Sequence, residues 1–231
     1  MKRFFLLLFI VIFCVTASHA QRNTFQNEWY VGAGGGALFS SVDFVPSIQQ
    51  TLMMGIYGGL AVKYISEKHL GLIAEINYTQ RGWTEEFDPA DGFSYSRRLN
   101  YFEIPFMTHI YFGKKIRFIV NVGPQISILL NDNQKMNQPL ADDLAARRAA
   151  NPDAQIGVQY SAFSEMNRVD YGLIGGVGME LKTGIGDFDL EGRYYFGLGD
   201  VFTSQRSENA YFSRSAHRLI EAKLTYYIKI Q

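Results

Sequence analysis

Apolar and polar residues alternate along eight stretches of this chain. Residues 99–112 show the pattern clearly, because Phe102 and Ile104 share one parity whereas Glu103 and His109 share the other. A β-strand turns successive side chains to opposite faces, so each stretch predicts a strand with one apolar and one polar face. The predicted strands are residues 29–39, 52–65, 70–81, 99–112, 116–130, 169–182, 188–198 and 217–230.

The links between these strands alternate between long and short. The long links are residues 40–51, 83–98, 131–168 and 199–216, and the short links are residues 66–69, 113–115 and 183–187. Each strand is long enough to cross a hydrocarbon core at a tilt, and this asymmetry of links is typical of outer-membrane barrels. The pattern therefore predicts an all-β fold, an eight-stranded antiparallel up-and-down transmembrane β-barrel with short periplasmic turns and long extracellular loops.

A secreted β-sandwich or a lipocalin-like barrel would show the same alternation. Charges on the polar face of nearly every strand favour the membrane barrel, since a small barrel lumen fills with ion pairs. Aromatic residues near the strand ends also favour it, because such residues form girdles at the membrane interfaces. The predicted girdle residues are Tyr64, Tyr78, Trp83, Tyr111, Phe112, Phe118, Phe196, Tyr226 and Tyr227.

The N-terminus has the features of a secretory leader. A basic start precedes an unbroken apolar run at residues 4–15, and the tripeptide ending at Ala20 places small residues where a signal peptidase reads. The run is too short to cross a bilayer core, which disfavours a membrane anchor. We therefore expect a signal peptide at residues 1–20 and an outer-membrane barrel domain at residues 21–231.

Composition narrows the chemistry of the mature chain. The only cysteine, Cys14, lies in the predicted leader, so no thiol remains for a disulfide, a zinc site or a nucleophile. Without residues 1–20, 20 basic and 22 acidic residues remain, a net charge of −2 with histidine neutral. This balance argues against a nucleic-acid partner. Residues 32–37 match a dinucleotide-binding pattern only loosely, and no predicted helix follows them, so we expect no cofactor and no metal.

Charged residues on the polar parity would face the barrel lumen. Buried charges must pair, because an unpaired one is very costly. This favours a structural ion-pair network over a proton or ion path or a catalytic carboxylate. The predicted network members are Glu75, Arg81, Glu103, Asp170, Glu191, Arg193, Glu221 and Lys223.

A lipid-modifying enzyme is the catalytic alternative, because such barrels place a nucleophile and a base at the outer rim. His217 lies near the predicted outer rim with Ser213 and Ser215 close in sequence, whereas His109 falls near the short-turn end. Serines are common in loops by chance, so we expect no enzymatic activity.

The longest link contains one predicted helix, at residues 140–150. Asp142 and Asp143 near its start and Arg147 and Arg148 near its end suit the helix dipole. The segment lacks an apolar face of any size, so we expect a solvated surface helix that shields the barrel mouth. A docking element for an outer partner is the alternative.

Three segments resemble a known family. Residues 99–107 (LNYFEIPFM) are similar to the Tyr-Leu-Glu-Ile-Pro-Leu signature of the Bacteroidetes outer-membrane β-barrel family, often called PorT-like. Residues 170–178 (DYGLIGGVG) and 190–200 (LEGRYYFGLGD) resemble two further strands of that family. The resemblance spans residues 29–230 and implies an eight-stranded outer-membrane barrel. The member that gives the family its name acts in the type IX secretion system, and most other members have no assigned activity.

The predicted function is a structural or interaction role in the cell envelope, which the resemblance connects to secretion. The expected location is the outer membrane, and the expected partners are outer-membrane lipid, the barrel-assembly machinery and an envelope or secretion-complex protein. The alternatives are a narrow solute-passage barrel and, less favoured, a lipid-modifying enzyme at the rim.

Overall fold

The computed structural model describes residues 26–152, 154–202 and 211–231, so the predicted signal peptide lies outside the described residues. These residues form eight long strands and one helix longer than a single turn. The strands are β1 Glu28–Val45, β2 Met53–Glu67, β3 Leu70–Glu85, β4 Tyr95–Gly113, β5 Ile116–Met136, β6 Val169–Lys182, β7 Asp187–Gly197 and β8 Arg214–Lys229. A two-residue strand, Gln50–Thr51, also pairs with the end of β3.

The sheet closes on itself. Each strand pairs antiparallel with the next one along the chain, and β1 pairs with β8 from Tyr30↔Lys229 to Val45↔Arg214. The predicted eight-stranded up-and-down barrel is therefore confirmed. A closed sheet has no edge, so the backbone donors and acceptors of every strand can be satisfied within the sheet.

Side chains divide into an apolar outer wall and a polar lumen. Ile76, Val177 and Leu224 point outward and are each at least half exposed. Glu75 and Lys223, on the opposite parity of the same strands, are buried. Within residues 26–152, 154–202 and 211–231, no helix is long and apolar enough to cross a membrane.

Five strands extend beyond their predicted bounds at the long-loop end, namely β1, β3, β4, β5 and β8. In these extensions the polarity of the two faces is reversed. Val42 and Trp83 point inward and are buried, whereas Arg98 and Lys135 point outward and are exposed. The predicted strands ended where the outer face ceased to be apolar, so their bounds were wrong although their number was right.

A β-bulge accompanies this reversal on β5. Tyr101 of β4 pairs with Leu129, but Asn100 pairs with Asn131, so Leu130 is one extra residue on β5. An extra residue shifts the side-chain parity of everything beyond it. Ile128 therefore points outward below the bulge, whereas Asn131 points outward above it.

The predicted aromatic girdle is only partly correct. Trp83, Tyr111 and Tyr227 are buried in the lumen, because they lie on the inward parity of their strands. The outward aromatic residues include two pairs near the short-turn end, Trp29–Tyr64 with ring centroids 4.5 Å apart and Phe188–Tyr226 at 4.9 Å.

The long-loop end carries the predicted helix, α1 Gln138–Ala150. The side-chain oxygen of Asn137 accepts a hydrogen bond from the Leu140 backbone at 3.4 Å and caps the helix. The apolar contact of this helix is small, in line with the expectation that it lacks an apolar face of any size. Leu140 and Leu144, one turn apart, are buried against the barrel, and the remaining faces of α1 are mostly exposed.

Candidate functional site

The centre of the lumen is occupied by ion pairs between strands that face each other across the barrel. Arg193 of β7 donates to both Glu75 oxygens of β3, at 2.9 and 2.8 Å, and to Glu191 at 2.7 Å. Lys223 of β8 donates to the same Glu75 at 2.5 Å. A two-point contact between a guanidinium and a carboxylate is the strongest form of such a pair.

A second cluster lies beside the first and is centred on Arg81. Its guanidinium lies 2.8 Å from Asp170 and 3.2 Å from Glu103, and its carbon lies 3.7 Å from the centre of the Tyr101 ring. The Tyr195 hydroxyl donates to Asp170 at 3.0 Å. The aromatic faces thus cover the parts of the guanidinium that the carboxylates leave free.

All eight predicted network residues are buried in the lumen, and the structure brings seven of them into ion pairs. The eighth, Glu221, is the register partner of Arg193 across β7 and β8. The Arg193 guanidinium is directed to Glu75 and Glu191 instead, and Glu221 forms no ion pair within the part of the chain that the structure describes.

A third cluster, near the short turns, was missing from the predicted network. Lys63 pairs with Glu180 and lies 3.3 Å from Asp189, and Arg117 lies 2.9 Å from Glu180. The Lys63 nitrogen also lies 4.1 Å from the centre of the Tyr227 ring. These charged residues lie on the inward parity of their strands, so the alternation rule that located the other clusters also applies to them.

The two histidines considered for catalysis lie in structural contacts. His109 Nδ1 lies 2.7 Å from the Asn121 side-chain oxygen, and Asn121 in turn donates to Glu191 at 2.8 Å. Because an amide oxygen only accepts hydrogen bonds, Nδ1 carries the proton. His217 is fully buried, with Nε2 3.3 Å from the Tyr101 hydroxyl.

The structure does not assemble the serine–histidine pair considered from the sequence. The Ser215 hydroxyl oxygen accepts a hydrogen bond from the Phe202 backbone at 3.1 Å. The Ser213 hydroxyl donates to the Val45 carbonyl at 3.4 Å. Among residues 26–152, 154–202 and 211–231, no hydrogen bond joins either serine to His217, and no three His, Cys, Asp or Glu side chains are grouped as metal ligands.

Above the ion pairs, an apolar cluster fills the barrel at the long-loop end. We call it the apolar plug. Its buried members are Val42, Phe44, Trp83, Tyr95, Leu99, Tyr101, Leu129, Leu140, Leu144, Met166, Val201, Phe202 and Phe212. Trp83 is fully buried at its centre, with Phe44 edge-on at 5.4 Å and Phe202 at 6.1 Å between ring centroids. Side chains from the loops and from the barrel wall therefore form one packed core.

Arg97 fastens the longest loop to this core. Its guanidinium lies 2.7 Å from Asp132 and donates to the backbone carbonyls of Ser161 at 2.8 Å and Gln159 at 3.2 Å. Arg97 is fully buried, so these contacts are shielded from water. Sequence reasoning missed it, because residue 97 lay in a predicted loop.

A second fastening involves Tyr160 of the same loop. Its hydroxyl donates to Glu85 at 2.5 Å. Burial raises the pKa of the Tyr160 hydroxyl well above its usual range, and the contact with Glu85 raises it further, so the hydroxyl keeps its proton. Beside it, α1 and loop 86–94 enclose a groove of about 540 Å³ whose aromatic lining includes Phe87, Phe93 and Tyr160.

The fold and the charged, plugged lumen define a β-barrel of the outer-membrane class. A family model described as outer membrane protein beta-barrel domain matches residues 19–203. The chain belongs to this family and is an outer-membrane β-barrel, and in this class the short turns face the periplasm and the long loops the exterior. No curated protein sequence matches the chain.

Several solved structures are similar to this chain. Neisserial surface protein A is 13% identical, with 89% of this chain and 100% of that chain covered and a TM-score of 0.49. OprG from Pseudomonas aeruginosa is 9% identical, with coverages of 87% and 96% and a TM-score of 0.49. Ail, the attachment invasion locus protein of Yersinia pestis, in complex with the heparin analogue sucrose octasulfate, is 10% identical, with coverages of 88% and 100% and a TM-score of 0.42.

Proposed function

We propose that this protein is a sealed, non-enzymatic outer-membrane barrel with a structural or interaction role in the cell envelope. The observation that carries the proposal is that the lumen is filled at two levels, by the ion-pair clusters around Glu75 and Arg81 and by the apolar plug around Trp83. An eight-stranded barrel is just wide enough for its own side chains, so such filling leaves little room for a solute.

The proposal includes a route to the membrane. A signal peptide at residues 1–20 would direct export, and the barrel-assembly machinery would insert the folded chain. Residues 99–107, 170–178 and 190–200 resemble PorT-like barrels. This resemblance supports the proposal that the protein is a Bacteroidetes barrel of that kind and works with a secretion-complex protein.

The interaction role rests on the outer surface of the long loops. Arg97 and Tyr160 tie the longest loop to the barrel, and Leu140 and Leu144 anchor α1. Binding a partner therefore requires little ordering of this surface, which lowers the entropic cost of association. The groove lined by Phe87 and Phe93 adds apolar and aromatic area of the kind that protein interfaces use.

Conductance in planar bilayers tests the sealed lumen. The purified protein should give no steady current, and an open barrel of known conductance reconstituted in parallel provides the control. A steady open-channel current would instead support the narrow solute-passage barrel and overturn the proposal.

Site-specific photo-crosslinking tests the interaction role. A photo-reactive residue at Ala145, exposed on α1, should capture a defined envelope protein in intact cells, whereas one at Lys114 in a short turn should not capture the same protein. If neither position yields a product, the interaction role fails and a purely structural role is left.

Mass spectrometry of lipid A from a deletion strain tests the non-enzymatic role. We expect the lipid A to be unchanged, and an altered acylation pattern would support the lipid-modifying enzyme at the rim.

A further inference from the structure

A polar groove is present on the outer wall of the barrel. It lies at the long-loop end of β3, β4 and β5, has a volume of about 270 Å³, and faces away from the lumen. We call it the headgroup groove. Its polar lining consists of Gln80, Ser96, Arg98, Asn100, Asn133 and Lys135. We infer that it binds the phosphorylated headgroup of a lipid in the outer leaflet.

The register places the two cations of the groove side by side. Arg98 pairs with Asn133 and Ser96 pairs with Lys135, so Arg98 and Lys135 are diagonal neighbours on the same face of adjacent strands. Diagonal neighbours have Cα atoms about 7–8 Å apart, a spacing that lets two long side chains reach one phosphate group from both sides. Arginine contributes paired donors and lysine a mobile point charge.

The wall beside Arg98 is kept open by a glycine. Gly82 of β3 is the register partner of Arg98, and a Cβ atom at this position would collide with the Arg97 carbonyl oxygen. No side chain therefore stands between the Arg98 guanidinium and the β3 side of the groove. A ligand can approach the guanidinium from that side as well as from the solvent.

The charge of the groove is uncompensated. Three other cations of the long-loop end have carboxylate partners, since Arg97 pairs with Asp132 and both Arg214 and Arg218 lie 3.1 Å from Asp43. Arg98 and Lys135 form no ion pair in the ranges that the structure describes, and none of the residues lining the groove is acidic. The groove thus holds two positive charges with no negative one and is complementary to an anion.

The position of the groove identifies the source of that anion. Immediately below it, on the same outward faces, lie the apolar side chains of Phe102, Ile104, Ile128 and Leu130, and Ile104 and Leu130 are 43% and 48% exposed. The groove begins where this apolar wall ends, which is the level of the lipid headgroups. A lipid can therefore place acyl chains on the apolar residues and its phosphate between Arg98 and Lys135, whereas a free anion would use only the groove.

Native mass spectrometry of the detergent-solubilised barrel with added lipid A tests this inference. The test variant is R98Q/K135Q, and the matched control is K114Q/K115Q, which removes the same charge from an exposed short turn. Each cation near a charged lipid contributes about fivefold to affinity, so the test variant should bind phosphorylated lipid A about 25-fold more weakly than wild type. The control should bind like wild type, and the charge-preserving R98K/K135R should recover most of the affinity.

Dephosphorylated lipid A and inorganic phosphate complete the test. The wild-type protein should bind dephosphorylated lipid A about as weakly as the R98Q/K135Q variant binds the phosphorylated form. Heat-modifiable migration on gels should be the same for every variant, which shows that the barrels are folded. Equal binding of phosphorylated lipid A by wild type and R98Q/K135Q would overturn the inference. If millimolar inorganic phosphate displaces bound lipid A as effectively as added unbound lipid A does, the lipid assignment is overturned, since the groove would then be a free-anion site.

Discussion

Arg193→Met is the sharpest test of the ion-pair lumen. Arg193 makes three charge-assisted hydrogen bonds, two to Glu75 and one to Glu191, and it is 4% exposed. Methionine has a similar volume but no charge, so the variant leaves two buried carboxylates with Lys223 as the nearest cation. Breaking a buried ion pair on one side costs about 3–5 kcal/mol, because the partner charge is left uncompensated.

This loss is measurable as a shift in the urea midpoint for unfolding from lipid vesicles. With a urea dependence of about 2 kcal/mol per molar, a loss of about 4 kcal/mol lowers the midpoint by about 2 M. The matched control is Asp143→Asn on α1, which breaks the exposed Asp143–Arg147 pair at 2.8 Å. An exposed pair one helical turn apart contributes about 0.5 kcal/mol or less, so the control should unfold almost like wild type.

A second substitution tests whether the uncompensated charge causes the loss of stability. Among the described residues Glu191 pairs with Arg193 alone, whereas Glu75 also pairs with Lys223. Removing the stranded carboxylate, in Arg193→Met/Glu191→Gln, should therefore restore about 1–3 kcal/mol relative to Arg193→Met alone, since the two sites are directly coupled. If Arg193→Met destabilised the barrel only through lost packing or lost hydrogen bonds, a second mutation would not restore stability. If the double variant is less stable than Arg193→Met, the loss of stability does not come from uncompensated charge, and side-chain packing stabilises the lumen instead.

Three further predictions follow from other parts of the barrel. Trp83→Ala removes the centre of the apolar plug and should cost about 3–5 kcal/mol in the same urea titration; a loss below 1 kcal/mol would contradict a packed plug. Arg97→Met should release the loop at residues 137–168, seen as faster cleavage by an external protease with heat-modifiable migration unchanged, and an unaltered cleavage rate would argue against the Arg97 fastening. A Cβ atom at residue 36 would collide with the Ala222 carbonyl oxygen, so Gly36→Ala should already weaken the pairing of β1 and β8 and the bulkier Gly36→Val should abolish the heat-modifiable band; a normal band for Gly36→Val would contradict this close approach.

The number of strands and their inward faces could be predicted from the sequence, because alternation is a local property that the sheet preserves. The upper ends of the strands could not. Along β5 the bulge at Leu130 shifts the parity. Along β4 the inward Tyr95 lay in a predicted link, and the apolar Leu99 points inward on the face that was predicted to be polar. When the alternation of apolar and polar residues reverses within a strand, it predicts that the strand ends at that point.

The sequence could predict which residues belong to the candidate site, but not which of these residues form ion pairs with each other. Parity places Glu75 and Arg193 in the lumen, but they are separated by 118 residues and lie on non-adjacent strands. Which charges meet depends on the tilt and stagger of the closed barrel, which no single strand encodes. The apolar plug was hidden for a related reason, since it combines loop residues with strand ends that were themselves misassigned.

The seam between β1 and β8 has a consequence for how the molecule can be made. It joins the first strand to the last through sixteen register pairs, from Tyr30↔Lys229 to Val45↔Arg214. Until β8 arrives, both borders of the growing sheet present bare amide and carbonyl groups, each of which costs several kcal/mol in hydrocarbon. A seven-stranded intermediate therefore cannot rest in the bilayer unaided. Insertion becomes an all-or-none event timed by the last strand, and any factor that shields those two borders controls when the chain commits to the membrane.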